Sequence, residues 1–190
     1  MDIESVKSFL SFFGPDEKMD AVSEALIEEY KELLPHEILA LWANFGFGNY
    51  GGGILKLIDP SLFKKNLDSW LDDNDPLNIP FMISAFGDMF YYRKSNETDG
   101  TFYLLSVHYK KVKQCATSVK DFLTGYMKSR STIVNDLRSN LYLEAEEKIG
   151  KLDGDTIYMF VPSLQFGGKE TIDYIQKADA YIYQNILLGD

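Results

Sequence analysis

Apolar positions recur along this chain with two periods, and the switches between them set the predicted elements. Ile3, Val6, Phe9, Leu10 and Phe13 fall at helical spacing, and Gly14-Pro15 ends that helix. Asp20 is placed to cap a second helix, with Val22, Ala25, Leu26, Tyr30 and Leu33 inward and Glu24, Glu28, Glu29 and Glu32 largely elsewhere. Pro35 opens a third, in which Ile38, Leu41, Trp42 and Phe45 stand at i, i+3, i+4 and i+7. Gly46 then sits where helices end on a left-handed residue. Gly48 and Gly51 to Gly53 turn the chain back closely, and Ile54 to Ile58 continue as a strand that Asp59-Pro60 stops.

Pro60 to Leu71 reads as another helix, followed by the polar turn DDNDP. Runs of strand length come next: Ile79–Phe86, Met89–Arg93, Phe102–Tyr109 and Val112–Ala116, with Gly87-Asp88 and Asp99-Gly100 as turns. Ser118 caps a helix through Met127. Leu141–Leu152 is a helix, Ile157–Val161 a short strand, and helices from about Lys169 to Gln176 and from Ala180 to Leu188 close the chain. The pattern predicts the α+β class: a central, mostly antiparallel sheet of about five strands with N-terminal and C-terminal helices packed around it.

Length allows one domain or two small ones sharing a core, and a boundary near Gly125 divides the chain into residues 1–125 and 126–190. Cys115 is the sole cysteine, which fits a reducing compartment. The N-terminus lacks a basic segment ahead of its apolar residues, and no apolar run is long enough to span a membrane, so the expected location is cytoplasmic. The formal net charge is -10, and it is unevenly placed. Residues 1–100 hold 18 acids and 8 bases, whereas residues 101–190 hold 11 of each. An acidic first half repels nucleic acid and attracts basic partners. Lys110 to Arg138 is the one basic stretch and carries no nucleic-acid-binding signature.

Candidate chemistry is sparse. Gly46-x-Gly48-x-x-Gly51 matches a dinucleotide fingerprint in letters, but a helix precedes it and a strand follows, the reverse of the order a pyrophosphate needs. Asp72 and Asn74 begin like a calcium loop. Leu77 then stands where that loop needs glycine, and Ile83 where it needs a bidentate Glu. Cys115, His108 and Asp88 can be written as a nucleophilic set, yet a lone strand cysteine is more often a small buried hydrophobe. Two histidines and one cysteine make a poor zinc set. The expectation is no catalytic residue, no metal and no cofactor.

Three stretches taken in order, LWANFGFGNYGGGILKLIDP, IPFMISAFGDMFYYRK and FVPSLQFGG, resemble the GAD-like family joined to the C-terminal domain of type VI secretion immunity proteins, from about Val22 to the end. Where members often carry Trp in the strand after the Gly-Asp turn, this chain has Tyr91 and Tyr92. The resemblance implies a non-catalytic bacterial immunity protein whose partner is a cognate toxin, a nuclease among the candidates, blocked by occlusion of its active or substrate-binding surface. Charge then nominates the contact: Asp72, Asp73 and Asp75, and second the helix bearing Glu28, Glu29 and Glu32. The alternative is a small-molecule-binding regulator or an enzyme using the glycine-rich turn. Tyr174, Tyr181 and Tyr183 are placed to line a homodimer contact.

Overall fold

The computed structural model describes residues 3–96 and 99–189. Its framework is a seven-stranded meander: β1 (Pro15–Asp20), β2 (Phe47–Tyr50), β3 (Leu55–Leu57), β4 (Asn78–Ser84), β5 (Met89–Lys94), β6 (Gly100–Ser106) and β7 (Lys111–Ala116) lie side by side in chain order. Every neighbouring pair is antiparallel. A two-stranded antiparallel sheet, β8 (Thr156–Phe160) with β9 (Ile175–Asp179), stands beside it. The α-helices among the described residues are α1 (Ile3–Leu10), α2 (Glu24–Tyr30), α3 (His36–Phe45), α4 (Pro60–Leu71), α5 (Ser139–Ile149) and α6 (Ala180–Leu188). The α+β class and the antiparallel sheet are as the pattern predicts, with two more strands in the main sheet.

Strand periodicity gives that sheet two buried faces. Phe90 and Tyr92 of β5, with Phe102 and Leu104 of β6, point into a core shared with Phe9 of α1, Trp42 of α3 and Phe122. Phe102 and Phe122 stack with centroids 4.4 Å apart. Met89, Tyr91 and Leu105 point the other way, toward Phe63 and Leu67 of α4 and Tyr183 and Leu187 of α6. The helix over Asp121–Tyr126 is a π-helical segment, opened by Ser118, whose Oγ accepts from the Asp121 N–H at 3.1 Å.

Three elements depart from the pattern. β1 lies where Gly14-Pro15 reads as a helix end. The α2 cap is Ser23, whose Oγ accepts from Leu26 N–H at 3.2 Å, rather than Asp20. The expected helix over Lys169–Gln176 is a single turn at Ile172–Tyr174 followed by β9, because Ile175 is buried opposite Phe160 and β8 requires a partner for its backbone. Tyr183 is also an interior residue: its hydroxyl bonds both the N–H and the carbonyl of Phe160, at 3.2 Å each. It is therefore not available to a surface contact; Tyr174 and Tyr181 are half-buried.

Candidate partner-binding surface

The six acids nominated by charge come from two segments far apart in sequence, and the end of β5 holds both. Arg93 pairs with Asp75 at 2.8 Å and Asp73 at 3.8 Å, in the turn that follows α4. The next residue, Lys94, donates from Nζ to the Glu32 carbonyl, just beyond α2. Asp72, Asp73 and Asp75 thus share one end of the sheet with Glu28, Glu29 and Glu32.

The two groups are not equally free. Asp73 accepts from the Asp75 N–H at 3.1 Å, and Asp75 accepts from the Leu77 N–H at 2.9 Å, so both carboxylates build the turn as well as neutralise Arg93. Asp72 is exposed and ends α4 in the left-handed region, at φ 51°. On α2, Glu28 is paired with Lys31, and that bond raises the Lys31 pKa. Glu24, Glu28, Glu29 and Glu32 are all exposed. The outward negative charge therefore resides mainly on α2 and Asp72.

The glycine-rich turn is occupied by the protein itself. Gly46 (φ 90°) runs so close to β1 that an added Cβ would lie 2.3 Å from the Asp20 carbonyl oxygen. At Gly51 (φ 61°) an added Cβ would lie 2.9 Å from the Phe13 ring, and Tyr142 caps the turn by donating to the Gly52 carbonyl at 2.5 Å. Close backbone approach accounts for these glycines. The order of elements around them, α3 before and β2 after, is the reverse of a dinucleotide site.

A second charged group went unread in the sequence. Arg138, 7% exposed, donates to Asp88 at 2.5 Å through Nη1 and to Glu170 at 2.8 Å through Nε. Its guanidinium lies over the Phe86 ring, 5.5 Å from the centroid. Asp88 also accepts the Val107 N–H at 2.9 Å, and Tyr109 donates to Glu170 at 2.9 Å. The two carboxylates raise the Arg138 pKa against the opposing cost of burial. Arg138 itself sits in the left-handed region (φ 49°) at the start of α5. Phe86 and Asp88 belong to the FGD turn, and Glu170 lies two residues beyond the FGG loop, so that turn and the segment after that loop meet on one guanidinium.

His108 and Asp88 belong to the same neighbourhood, whereas Cys115 lies on β7. The ring Nε2 of His108 is 2.7 Å from the Phe86 carbonyl, which makes it the protonated nitrogen. Burial lowers the His108 pKa, Asp88 opposes that shift, and Arg138 adds to it. Burial also pushes the Cys115 thiol up to about 12, unsuited to nucleophilic attack at neutral pH. Among the described residues, no group of three or more His, Cys, Asp or Glu side chains is arranged to hold a metal ion, and no helix is long and apolar enough to cross a membrane.

Comparison with known proteins matches both halves of the chain. The family model for the GAD-like domain matches residues 4–106. The model described as T6SS immunity protein Tdi1, C-terminal, matches residues 116–189. No curated protein matches the sequence. Among solved structures, the crystal structure of Atu4351 from Agrobacterium tumefaciens superposes with a TM-score of 0.74, covering 96% of this chain and 87% of that one at 17% identity. That likeness extends the fold across both matched segments. The segments are interlocked: Arg138 of the second, itself bonded to Glu170, pairs with Asp88 of the first, Gln184 donates to the Gly87 carbonyl at 2.9 Å, and Phe86 stacks on Phe160 at 5.6 Å.

Proposed function

The chain belongs to the GAD-like family over its first half, and from that premise we propose that it is a non-catalytic immunity protein that binds and neutralises a cognate toxin protein. Support for the role comes from the second half, which resembles the C-terminal region of a type VI secretion immunity protein. Support for a mechanism comes from one observation: Arg93 and Lys94 at the end of β5 bond the turn after α4 and the residue beyond α2, which brings their acids to the same end of the sheet; in this reading the exposed carboxylates there make an acidic face. Such a face is complementary to a basic groove shaped for nucleic acid. Carboxylates would stand where phosphates otherwise bind, and the field would steer the encounter. Glu28, Glu29, Glu32 and Asp72 carry the contact in this reading, while Asp73 and Asp75 shape the turn that presents it. The working compartment is the cytoplasm of the producing cell.

Co-expression with the product of the adjacent reading frame tests the role directly. Rescue of growth, with a co-purifying complex that weakens as salt rises, is the expected result. Rescue with a salt-insensitive complex would retain the role and remove the acidic-face mechanism. A toxic neighbour whose effect this chain leaves unchanged would overturn the role.

A further inference from the structure

Asp88 precedes β5, so its partner Arg138 stands at the opposite end of that strand from Arg93 and Lys94. A cavity of about 380 Å³ opens there. Arg138, Glu170, Asn135, Asn140 and the half-exposed Tyr109 ring line it, and Val134 and Leu141 form an apolar wall. The guanidinium is only partly used. Nη1 donates to Asp88 and to the Asp136 carbonyl, Nε donates to Glu170, and among the described residues no group accepts from Nη2. Arg138 as a whole is 7% exposed, yet Nη2 is not sealed from solvent. Acceptors stand open around the same space. Oε1 of Glu170 accepts from both Tyr109 and Arg138, while Oε2 has no bond among the described residues. Asn135 donates to the Ser131 hydroxyl at 3.3 Å, which leaves its Oδ1 to the cavity.

We propose that this cavity binds an uncharged amide group, whose carbonyl oxygen accepts from Arg138 Nη2 and whose N–H donates to Glu170 or Asn135. Charge selects against ions. Asp88 and Glu170 already answer Arg138, so an anion would meet two carboxylates with no surplus positive charge to receive it. A cation has no lone pair to offer Nη2 and would stand beside the guanidinium. A neutral group with an acceptor next to a donor satisfies both kinds of open site. A hydroxyl carries both functions on one atom. An amide carries them on two and is flat, which suits the Tyr109 ring and the wall of Val134 and Leu141. Two sources supply such a group: a free small molecule, or an Asn or Gln side chain of a protein partner. That the partner is a toxin rests on the function proposed above; the preference for an amide does not.

Probes of nearly one shape separate these chemistries on the full chain: benzamide, benzoate, benzamidine (a cation at neutral pH) and benzyl alcohol. An NMR titration follows the Arg138 Nε–H and the Asn135 and Asn140 side-chain amides. Benzamide is expected to bind in the millimolar range, about fivefold more tightly than each of the others, the worth of one hydrogen bond. Equal or tighter binding by any of the other probes overturns the proposal, and so do benzamide shifts that miss these residues. Asn135→Leu, at an exposed position, removes an acceptor and fills space, and it should weaken benzamide about fivefold. Unchanged affinity overturns the site. Should Asn135→Leu melt well below wild type, Tyr109→Ala replaces it under the same criterion. Growth rescue then assigns the source. A folded Asn135→Leu that no longer rescues supports a side chain of the toxin, whereas full rescue supports a free small amide. No rescue by wild type overturns the immunity role, and the titration alone then decides the cavity.

Discussion

The chain uses charge in two opposite ways, on α2 and around Arg138. On α2 the carboxylates are exposed, screened by salt and paired at most with a neighbour one turn away, an arrangement worth little to stability. Around Arg138 two carboxylates and a guanidinium are held between the matched segments, with Asp88 and Arg138 each less than a tenth exposed. There each partner is indispensable to the other, because removing one leaves a buried charge unanswered. Exposed charge is thus free to be spent on a partner, while buried charge is already committed to the fold.

The sharpest way to break this contrast is Arg138→Ala, which strands Asp88 and should destabilise the chain by about 3–5 kcal/mol. Chemical denaturation would measure it. Adding Asp88→Asn should recover part of that loss, and a strictly additive double variant would show that the pair does not act as a unit. Gly46→Ala should rank next. It forces a side chain into positive φ and against the Asp20 carbonyl, for a loss of about 2 kcal/mol or more. Acid is a gentler probe. Burial holds the His108 pKa below its ordinary value, so its folded form resists protonation while the unfolded chain accepts a proton at about pH 6.5. The resulting stability is complete above that pH and declines as pH falls through it toward the folded pKa. The melting temperature should drop less steeply between pH 7 and 5 in His108→Gln than in wild type; parallel curves would remove His108 from the account. The smallest effect belongs to α2. Replacing Glu28, Glu29 and Glu32 together by Gln should change stability by no more than about 0.5 kcal/mol, yet reduce both the affinity for a basic partner and its salt dependence.

What could be read from sequence follows the strength of local signals. Helix α4 is legible at both ends: Asp59 accepts from the Ser61 N–H at 2.8 Å, Pro60 opens the helix, and apolar residues keep the period as far as Leu71. β4 to β7 are legible as apolar runs between turn residues. β1 is not, because PDEKMD at the sheet edge has no inward apolar face to repeat. Missing β1 also hid the reason for Gly46, which reads as a helix cap and serves equally as the point where β1 passes. β9 is hidden for a similar reason: IQKAD has one fully buried apolar residue, and its strand character comes from pairing with β8. The acids of the proposed surface are visible one by one, but their shared location depends on Arg93 and Lys94, adjacent residues that reach to different segments. The Arg138 group is spread over Asp88, Arg138 and Glu170, distances at which sequence carries no geometry. One clue was present: Asp88 is the only charged residue between Ile79 and Tyr92, and a lone charge in so apolar a run calls for a counter-charge from elsewhere.

The meander also divides the work between the two segments of the chain. Each strand pairs with the one before it; the closures from β4 to β7 are short, while α2 and α3 separate β1 from β2 and α4 separates β3 from β4. All seven strands precede Arg138 in the chain, so every strand of the main sheet is contributed by the segment before it. Within that segment the Asp88 carboxylate accepts the Val107 N–H, and its positive partner is Arg138 from beyond it. The first segment is therefore self-sufficient in the strand pairing of its sheet and dependent in its electrostatics, because the cation that answers Asp88 comes from the second.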